Sequence, residues 1–569
     1  MTMEAIRRYE AWLQDPLIDG DTKDELRGIH HNEAEIEDRF FKWLEFGTGG
    51  LRGTVGAGSN RMNVYTVRLV TQALANHLKA QGKADGGVAI AHDSRHMSRE
   101  FTEAAAGVLV ANAIPVYVFS DLAPTPLLSY AVRHYQASAG IVITASHNPP
   151  EYNGYKVYNE HGNQMLTEEA QAISSQMAGL GLDSVRTDSN PQGSSLWHWL
   201  GEEVIQSYYQ RLLEIAPQIQ DTQGLSVLYT PLHGTGGRFV PEILKMAGFS
   251  RVSTVAKQMV PDGSFPTVKF PNPEDPKAFE LAFAQAKQHP CDLIIATDPD
   301  ADRMGVAVDH KGEWVLLNGN QVGTLLTDYL LANLDRDKSG RSVVIKTIVT
   351  TDMAGLIAQK YGAEVRDTLT GFKYIGTLID LLPFEKKEFL FGFEESYGYL
   401  AGTHVRDKDA VIASLLIAQV AAFYKARGLT LVDRLRELFD EHGYYLQDLV
   451  SYSFATSLEA ERSREFIKKL ETQPITHIGP ERVVLIANYA TGVRLDLRAH
   501  EETPIALPKE AVLQWITDSG SKVTLRPSGT EPKMKLYLEV RGENRAKAQH
   551  RLSALKEAFH EMVQAGLRA

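Results

Sequence analysis

The sequence predicts an α/β chain of four domains, the last a smaller α+β domain, and three observations predict it. Short apolar runs bounded by turn residues alternate with longer helical patterns, as in layered α/β domains. The length, 569 residues, corresponds to roughly four domains at about 150 residues each. Beyond 442 the texture changes to strand-like runs followed by a terminal helical pattern. In chain order, the strand cores are Ala89-Ile90-Ala91, Val116-Tyr117-Val118-Phe119, Ile141-Val142-Ile143, Val227-Leu228-Tyr229, Leu293-Ile294-Ile295 and Val343-Val344-Ile345. Helical patterns at 101–113 and 277–288 lie between them, so parallel, buried strands are expected. The C-terminal strands are Val483-Val484-Leu485-Ile486, Lys522-Val523-Thr524-Leu525 and Lys535-Leu536-Tyr537-Leu538-Glu539-Val540. The resulting boundaries are 1–205, 206–316, 317–442 and 443–569.

Hydrophobic residues make up 43% and charged residues 23%, so packed domains are expected throughout. Lysine and arginine total 59 against 71 acidic residues, and the net charge of -12 disfavours a nucleic acid or an anionic membrane as the main partner. A small anionic substrate remains compatible, because screening confines the global field to about 10 Å. Cys291 is the sole cysteine, which excludes an intrachain disulfide and a cysteine-based zinc site and fits a reducing cytoplasmic setting. The first residues lack the apolar core of a secretory signal. The apolar stretch 410–424 is interrupted by Ser414 and Gln419 and is shorter than the roughly 20 residues of a membrane span, so it reads as a buried helix.

Ligands of α/β sheets sit at the carboxyl ends of strands, and several polar loops occupy that place. Asp298-Pro299-Asp300-Ala301-Asp302-Arg303 follows the run 292–297. Its alternate carboxylates can turn toward one point, as the oxygen ligands of a hard divalent cation do. It is no EF-hand, because Arg303 stands where that loop needs glycine and a strand precedes it. In Thr144-Ala145-Ser146-His147-Asn148-Pro149-Pro150, the prolines stop a helix and present Ser146 at a strand end, as a nucleophile or phosphoryl carrier. No Gly-x-Ser-x-Gly elbow surrounds it.

Arg526-Pro527-Ser528-Gly529-Thr530-Glu531-Pro532-Lys533 offers a phosphate clamp: a forked guanidinium, two hydroxyls and backbone N–H groups beside Gly529. Gly392-Phe393-Glu394-Glu395-Ser396-Tyr397-Gly398 places carboxylates and a hydroxyl where sugar hydroxyls could bind, and Thr370-Gly371-Phe372-Lys373 adds a lysine. Gly47-Thr48-Gly49-Gly50-Leu51-Arg52-Gly53 is expected to let backbone amides and Arg52 surround an anion. Neither it nor His233-Gly234-Thr235-Gly236-Gly237 fits a dinucleotide fingerprint, and no Walker loop occurs.

In this order, T-A-S-H-N-P from Thr144, D-P-D-A-D-R from Asp298, G-F-E-E-S-Y-G from Gly392 and R-P-S-G-T-E-P-K from Arg526 resemble the α-D-phosphohexomutase superfamily, phosphoglucomutase branch. The resemblance implies three related α/β domains and a smaller C-terminal domain, able to swing, around a central cleft. It implies a phosphoserine at Ser146, with Asp298, Asp300 and Asp302 binding one Mg²⁺ per chain together with an oxygen of that phosphoserine. It further implies that Arg303 and Arg52 stabilise the phosphoserine and that His147 and Lys373 serve proton transfer. Glu394 and Ser396 would contact sugar hydroxyls, and Arg526, Ser528, Gly529 and Thr530 would clamp the phosphate not being transferred.

The activity so implied is reversible conversion of glucose 1-phosphate and glucose 6-phosphate through glucose 1,6-bisphosphate, which is both intermediate and activator. The partner would be a small phosphosugar, with no nucleic acid and no membrane, and the chain a monomer or small homo-oligomer. The sugar loop and the first glycine loop also resemble a subgroup that includes phosphopentomutases and glucose-1,6-bisphosphate synthases. Phosphopentomutase and phosphomannomutase activities are therefore alternatives. From another class come an aspartate-nucleophile phosphatase using Asp298 and Asp300, and a sugar-phosphate sensor without chemistry.

Overall fold

Three β-hairpins each carry at the turn one of the polar loops singled out above, and a fourth antiparallel pair of strands, Lys522–Pro527 and Lys533–Gly542, flanks 528–532. The computed structural model describes residues 2–47, 49–219, 221–335, 338, 340–454, 457–527 and 533–568. The chain forms two compact units, one of Met1–Val322 with Ile375–Thr430 and the other of Gly323–Tyr374 with Leu431–Ala569.

In the first unit, a six-stranded sheet runs in the order Gly50–Thr54, Tyr152–Asn159, Ala139–Ile143, Val88–His92, Val116–Phe119, Trp197–Leu200. The last four strands are parallel, as the buried runs predict, and the first two are antiparallel additions. A second sheet runs Glu313–Leu317, Met304–His310, Leu293–Thr297, Ser226–Thr230, Arg251–Thr254, again parallel on one side and antiparallel on the other. The central strands Ala139–Ile143 and Leu293–Thr297 are buried at every residue, which apolar side chains on both faces permit. A third hairpin pairs Glu388–Glu394 with Gly398–Ala401.

Helix Ala410–Lys425 is buried nearly all round, as its unbroken apolar composition requires. Asp409 caps it, accepting hydrogen bonds from the amides of Val411 and Ile412. Among the described residues no helix is long and apolar enough to cross a membrane. Ahead of the first sheet, helices Met3–Gln14, Gly20–Gly28 and Glu33–Phe40 are capped by Thr2, Asp19 and Asn32. They close over Trp12, Phe40 and Tyr65, whose rings meet edge to face.

In the second unit, Ser342–Thr347 pairs in parallel with Glu364–Thr368 beside helix Met353–Lys360. The C-terminal sheet is antiparallel, in the order Tyr444–Ser453, Lys533–Gly542, Lys522–Pro527, Leu513–Thr517, Glu481–Asn488, Val493–Asp496, Glu501–Pro504. Helices Ser457–Thr472 and Arg545–Arg568 cover it around Trp515 and Phe559. Lys346 and Lys522 both reach Asp352 Oδ1 at 2.8 Å, a buried polar knot within this unit.

Two sequence expectations change. The segment expected to wrap an anion as a loop is, from Gly50, an edge strand paired with Tyr152–Asn159, so its amides serve a ladder and Arg52 is a strand residue opposite Gly154. The Ser146 and Asp298 loops lead back into antiparallel strands and so are hairpin turns. Gly154 lies where three strands crowd: a Cβ there would stand 2.5 Å from the Thr144 carbonyl oxygen and 3.0 Å from that of Leu51. Gly154→Ala is therefore expected to destabilise by about 1–3 kcal/mol, read as a lower melting temperature; an unchanged melting curve would show that the strands can part there.

Candidate active site

Ser146 adopts a left-handed backbone conformation, φ 51°, which costs a non-glycine residue about 1 kcal/mol and aims its side chain out of the hairpin. The strain is held by its neighbours. The Ser146 amide donates to Thr144 Oγ1 at 2.8 Å, and the Ser146 carbonyl accepts from Arg95 Nη2 at 2.7 Å. Its hydroxyl donates to Asp298 Oδ2 at 2.6 Å and lies 3.2 Å from His147 Nδ1. Arg52 Nη1 reaches Asn148 Oδ1 at 3.2 Å, so Arg52 flanks the same loop. Burial, then the charges of Arg303 and Arg52, hold His147 well below the usual imidazole range, so the ring is neutral at pH 7.

The second hairpin supplies the carboxylates. Asp298 Oδ1 accepts from the amides of Asp302 and Arg303 at 3.1 and 2.9 Å, folding the turn back on itself, with Ala301 left-handed at φ 50°. Asp298, Asp300 and Asp302 each place a carboxylate oxygen within 4.8 Å of the others, and all three are buried. Burial, then the Asp302 and Asp300 charges, push Asp298 well above the usual carboxylate range. Among the described residues, Asp300 Oδ1 and Asp302 Oδ1 are buried with no hydrogen-bond partner. Convergent, unsatisfied, hard oxygen donors are what a magnesium ion needs, so these residues fit one.

The structure adds cations that sequence reasoning missed. Lys156, on the strand after the serine loop, reaches Asp300 Oδ2 at 2.8 Å and Asp302 Oδ2 at 3.5 Å. Lys408 reaches Asp302 Oδ2 and Asp407 Oδ1, both at 3.0 Å. Burial alone would lower the proton affinity of these lysines, yet the carboxylates outweigh it and raise both above the ordinary ammonium range. Burial alone would likewise raise Asp300, and the Lys156 charge and hydrogen bond hold it low instead. Lys156 is hidden in the polar-looking run Tyr152-Asn153-Gly154-Tyr155-Lys156, which masks a buried strand. Lys408 sits in Arg406-Asp407-Lys408-Asp409, and four consecutive charges before an apolar helix were the available signal.

Arg303 Nη1 bonds Glu274 Oε1 at 2.6 Å and the Ser396 carbonyl oxygen at 3.1 Å. Ser396 thus meets the aspartate loop through its backbone, at the turn of the third hairpin, where Tyr397 is left-handed at φ 65°. Glu394 is buried, and its charge acts on both Arg303 and Lys408. Ser146, His147, Arg52, Arg303, the three aspartates, Glu394 and Ser396 all belong to the first unit.

Lys373 and Arg526 belong to the second unit, where both lie near Glu510; Arg526 Nη2 is 3.4 Å from Glu510 Oε1. Burial lowers the proton affinity of Lys373; the Glu510 charge opposes this and the Arg526 charge adds to it. Ser528, Gly529 and Thr530 lie outside the described residues, although the strands on either side, Lys522–Pro527 and Lys533–Gly542, are paired.

Three family models match in series: phosphoglucomutase/phosphomannomutase alpha/beta/alpha domain I at 44–181, domain II at 206–312 and domain III at 318–442. The chain belongs to the phosphoglucomutase/phosphomannomutase family, within the α-D-phosphohexomutase superfamily of enzymes. It is 37% identical over 524 residues to a phosphoglucomutase of Staphylococcus epidermidis, covering 90% of this chain and 94% of that one. A phosphoglucomutase of Staphylococcus haemolyticus is 38% identical over 511 residues, covering 89% of this chain and 92% of its own. A solved phosphoglucomutase/phosphomannomutase family protein from Burkholderia thailandensis shares the fold, with a TM-score of 0.68 at 18% identity over 92% of this chain and 97% of that one. Three α/β domains and a further C-terminal domain with its own sheet are therefore the architecture of this chain.

A ligand that binds only the folded site stabilises it by mass action. Millimolar Mg²⁺ is expected to raise the melting temperature of metal-stripped protein, and Asp302→Asn to abolish that rise; an equal rise in the variant would place the cation elsewhere.

Proposed function

We propose that this enzyme is a phosphoglucomutase, interconverting glucose 1-phosphate and glucose 6-phosphate with Ser146 as the phosphoryl carrier. The observation that carries the proposal is the Ser146 hydroxyl at 2.6 Å from Asp298, within a buried cluster of three carboxylates, in a chain of this family. Asp298, Asp300 and Asp302 would hold Mg²⁺, which when bound offsets negative charge on phosphoryl oxygens.

In the reaction, the Ser146 Oγ–phosphorus bond breaks as a bond to the sugar 6-oxygen forms; the 6-hydroxyl proton leaves for a protein group or water and the freed Ser146 Oγ takes one up. The resulting glucose 1,6-bisphosphate turns over, and its 1-phosphate returns to Ser146 Oγ, which gives up its proton while the sugar 1-oxygen takes one up. The catalytic requirement is position and charge, because the transition state is loose and anionic. Arg52, beside Asn148, and Arg303, held between Glu274 and the Ser396 carbonyl, bring fixed positive charge to the serine side. Lys156 and Lys408 pair with Asp300 and Asp302 and help to fix these carboxylates, whose charge raises the proton affinity of both lysines. His147, neutral and beside Ser146 Oγ, and Lys373, whose proton affinity is lowered, remain the candidates to hold or give the transferred proton.

Glu394 would contact the sugar hydroxyls with Ser396. Arg526, Ser528, Gly529 and Thr530 would hold the phosphate that is not moving, a task for which a guanidinium fork and backbone N–H groups are suited. Asp298 is poorly placed as a phosphatase nucleophile: its Oδ1 accepts two backbone N–H groups and its Oδ2 the Ser146 hydroxyl.

Incubation with glucose 1,6-bisphosphate is expected to add one phosphoryl group, mapped by peptide mass to Ser146. Ser146→Ala is expected to lose mutase activity by at least about 10³-fold, as removal of a covalent nucleophile does. Glucose 1-phosphate should exceed ribose 1-phosphate in kcat/KM. Phosphate on Asp298, or full activity in the alanine variant, would refute the proposal.

A further inference from the structure

Arg95 lies in none of the four family-like motifs, yet its guanidinium donates to four carbonyl oxygens of the serine hairpin. Nη1 donates to the carbonyl oxygens of Pro149 at 2.7 Å and Tyr152 at 2.9 Å. Nη2 donates to that of Ser146 at 2.7 Å and to that of Asn148. Nε faces Asp93 Oδ2 at 3.4 Å, and Arg95 is only 3% exposed. A fork of five donors meeting four carbonyls along residues 146–152 is an arrangement that an ammonium group cannot copy.

The arginine is itself fixed from two sides. Asp93 Oδ1 accepts from the Arg95 amide at 2.9 Å and from Ser98 Oγ at 2.8 Å. From the second α/β domain, residues 261–265 cover it: the Phe265 ring lies 5.0 Å from the guanidinium carbon and is 1% exposed. His96 Nε2 and Ser264 Oγ are 2.8 Å apart, and a Cβ on Gly263 would stand 2.5 Å from the His96 amide nitrogen and 2.9 Å from the Arg95 carbonyl carbon. The glycine thus allows the two domains to meet backbone to backbone behind the arginine.

We propose that Arg95 is the positioning residue of the phosphoryl-carrier loop, gathering its carbonyls so that Ser146 is held in its left-handed turn, and that the loop 261–265 backs the guanidinium for this purpose. This rests on Ser146 being the carrier. The four guanidinium hydrogen bonds of Arg95 all go to backbone carbonyls of the serine hairpin, so its loss should misplace the nucleophile and leave substrate affinity in place. Misplacement of about 1 Å at a reacting atom costs on the order of 10²-fold in rate.

The test uses the full chain. Arg95→Lys is expected to lower kcat about 10²-fold with KM for glucose 1-phosphate changed by less than about 2-fold. The same factor should appear in the rate at which glucose 1,6-bisphosphate phosphorylates Ser146, followed by intact mass. In that step the Ser146 Oγ–phosphorus bond forms, the sugar oxygen–phosphorus bond breaks, and the serine proton is replaced by one taken up on the sugar oxygen. Added methylguanidinium should restore Arg95→Ala, and methylammonium should not, which a loss of folding would not reproduce. Should the arginine variants not accumulate folded, Gly263→Ala decides: it keeps the guanidinium and displaces its backing, and kcat should fall with KM unchanged. Wild-type kcat in Arg95→Lys or in Gly263→Ala, or a raised KM without a fall in kcat, overturns the proposal. If the wild-type chain is not phosphorylated at all, the carrier reading fails with it; if wild type and Arg95→Lys are phosphorylated equally fast, only the role of Arg95 falls.

Discussion

Three carboxylates buried within five residues are the constraint on which the rest of the site depends. Asp298, Asp300 and Asp302 cannot all carry charge in a dry interior unless cations face them. The structure supplies those cations from separated parts of the chain. Lys156 comes from the strand after the serine loop, Lys408 from the turn before helix Ala410–Lys425, and Arg303 from the aspartate loop itself. Thr125 joins them, giving its amide to the Asp300 carbonyl at 2.9 Å and its hydroxyl to Asp300 Oδ2 at 2.8 Å. Breaking one such buried pair typically costs about 3–5 kcal/mol, because a charge is left without its partner. The same charges that prepare a cation site therefore fasten the first, second and third hairpins together.

Backbone strain is the second shared feature. Ser146, Ala301 and Tyr397, none of them glycine, are left-handed at the turns of the three hairpins. Such conformations persist where the surroundings determine them, and they cluster at functional sites. Each is held differently: Ser146 by Thr144 and Arg95, Ala301 by its amide bond to the Asp298 carbonyl at 2.9 Å, and Tyr397 by its carbonyl, which accepts from the Met304 amide at 3.1 Å. A tight hairpin turn aims a side chain away from its own sheet. Such turns bring Ser146 to Asp298 and the Ser396 carbonyl to Arg303.

The fold was legible where one physical signal dominated. Runs such as Leu293-Ile294-Ile295 are apolar on both faces, so they read as buried parallel strands, and they are. The apolar 410–424 run read as a buried helix for the same reason. The antiparallel partners were not legible: in Tyr152–Asn159 the buried strand carries Asn153, which donates to the His96 carbonyl oxygen and Ser98 Oγ, Gly154, where strands crowd, and Lys156, which pairs with Asp300. Gly50–Thr54 looked like an anion loop because glycine density suggests exposed amides, whereas close strand approach is what the glycine Gly50 permits here. The convergence of the three carboxylates was legible from their alternate spacing, whereas Ser146 was singled out by the family resemblance and not by its local pattern. Lys156, Lys408 and Arg95 act across long sequence separations: the charge run around Lys408 is visible locally, but the partner that each of the three reaches is not.

The central claim is that one cation site and one phosphoryl carrier share the Asp298 corner. Anomalous diffraction from crystals of the phosphorylated protein grown with Mn²⁺ in place of Mg²⁺ addresses it directly. A single manganese peak bounded by the carboxylates of Asp298, Asp300 and Asp302 is expected, with the phosphate on Ser146 beside it. A peak away from these aspartates, or a phosphate carried on Asp298, would contradict it.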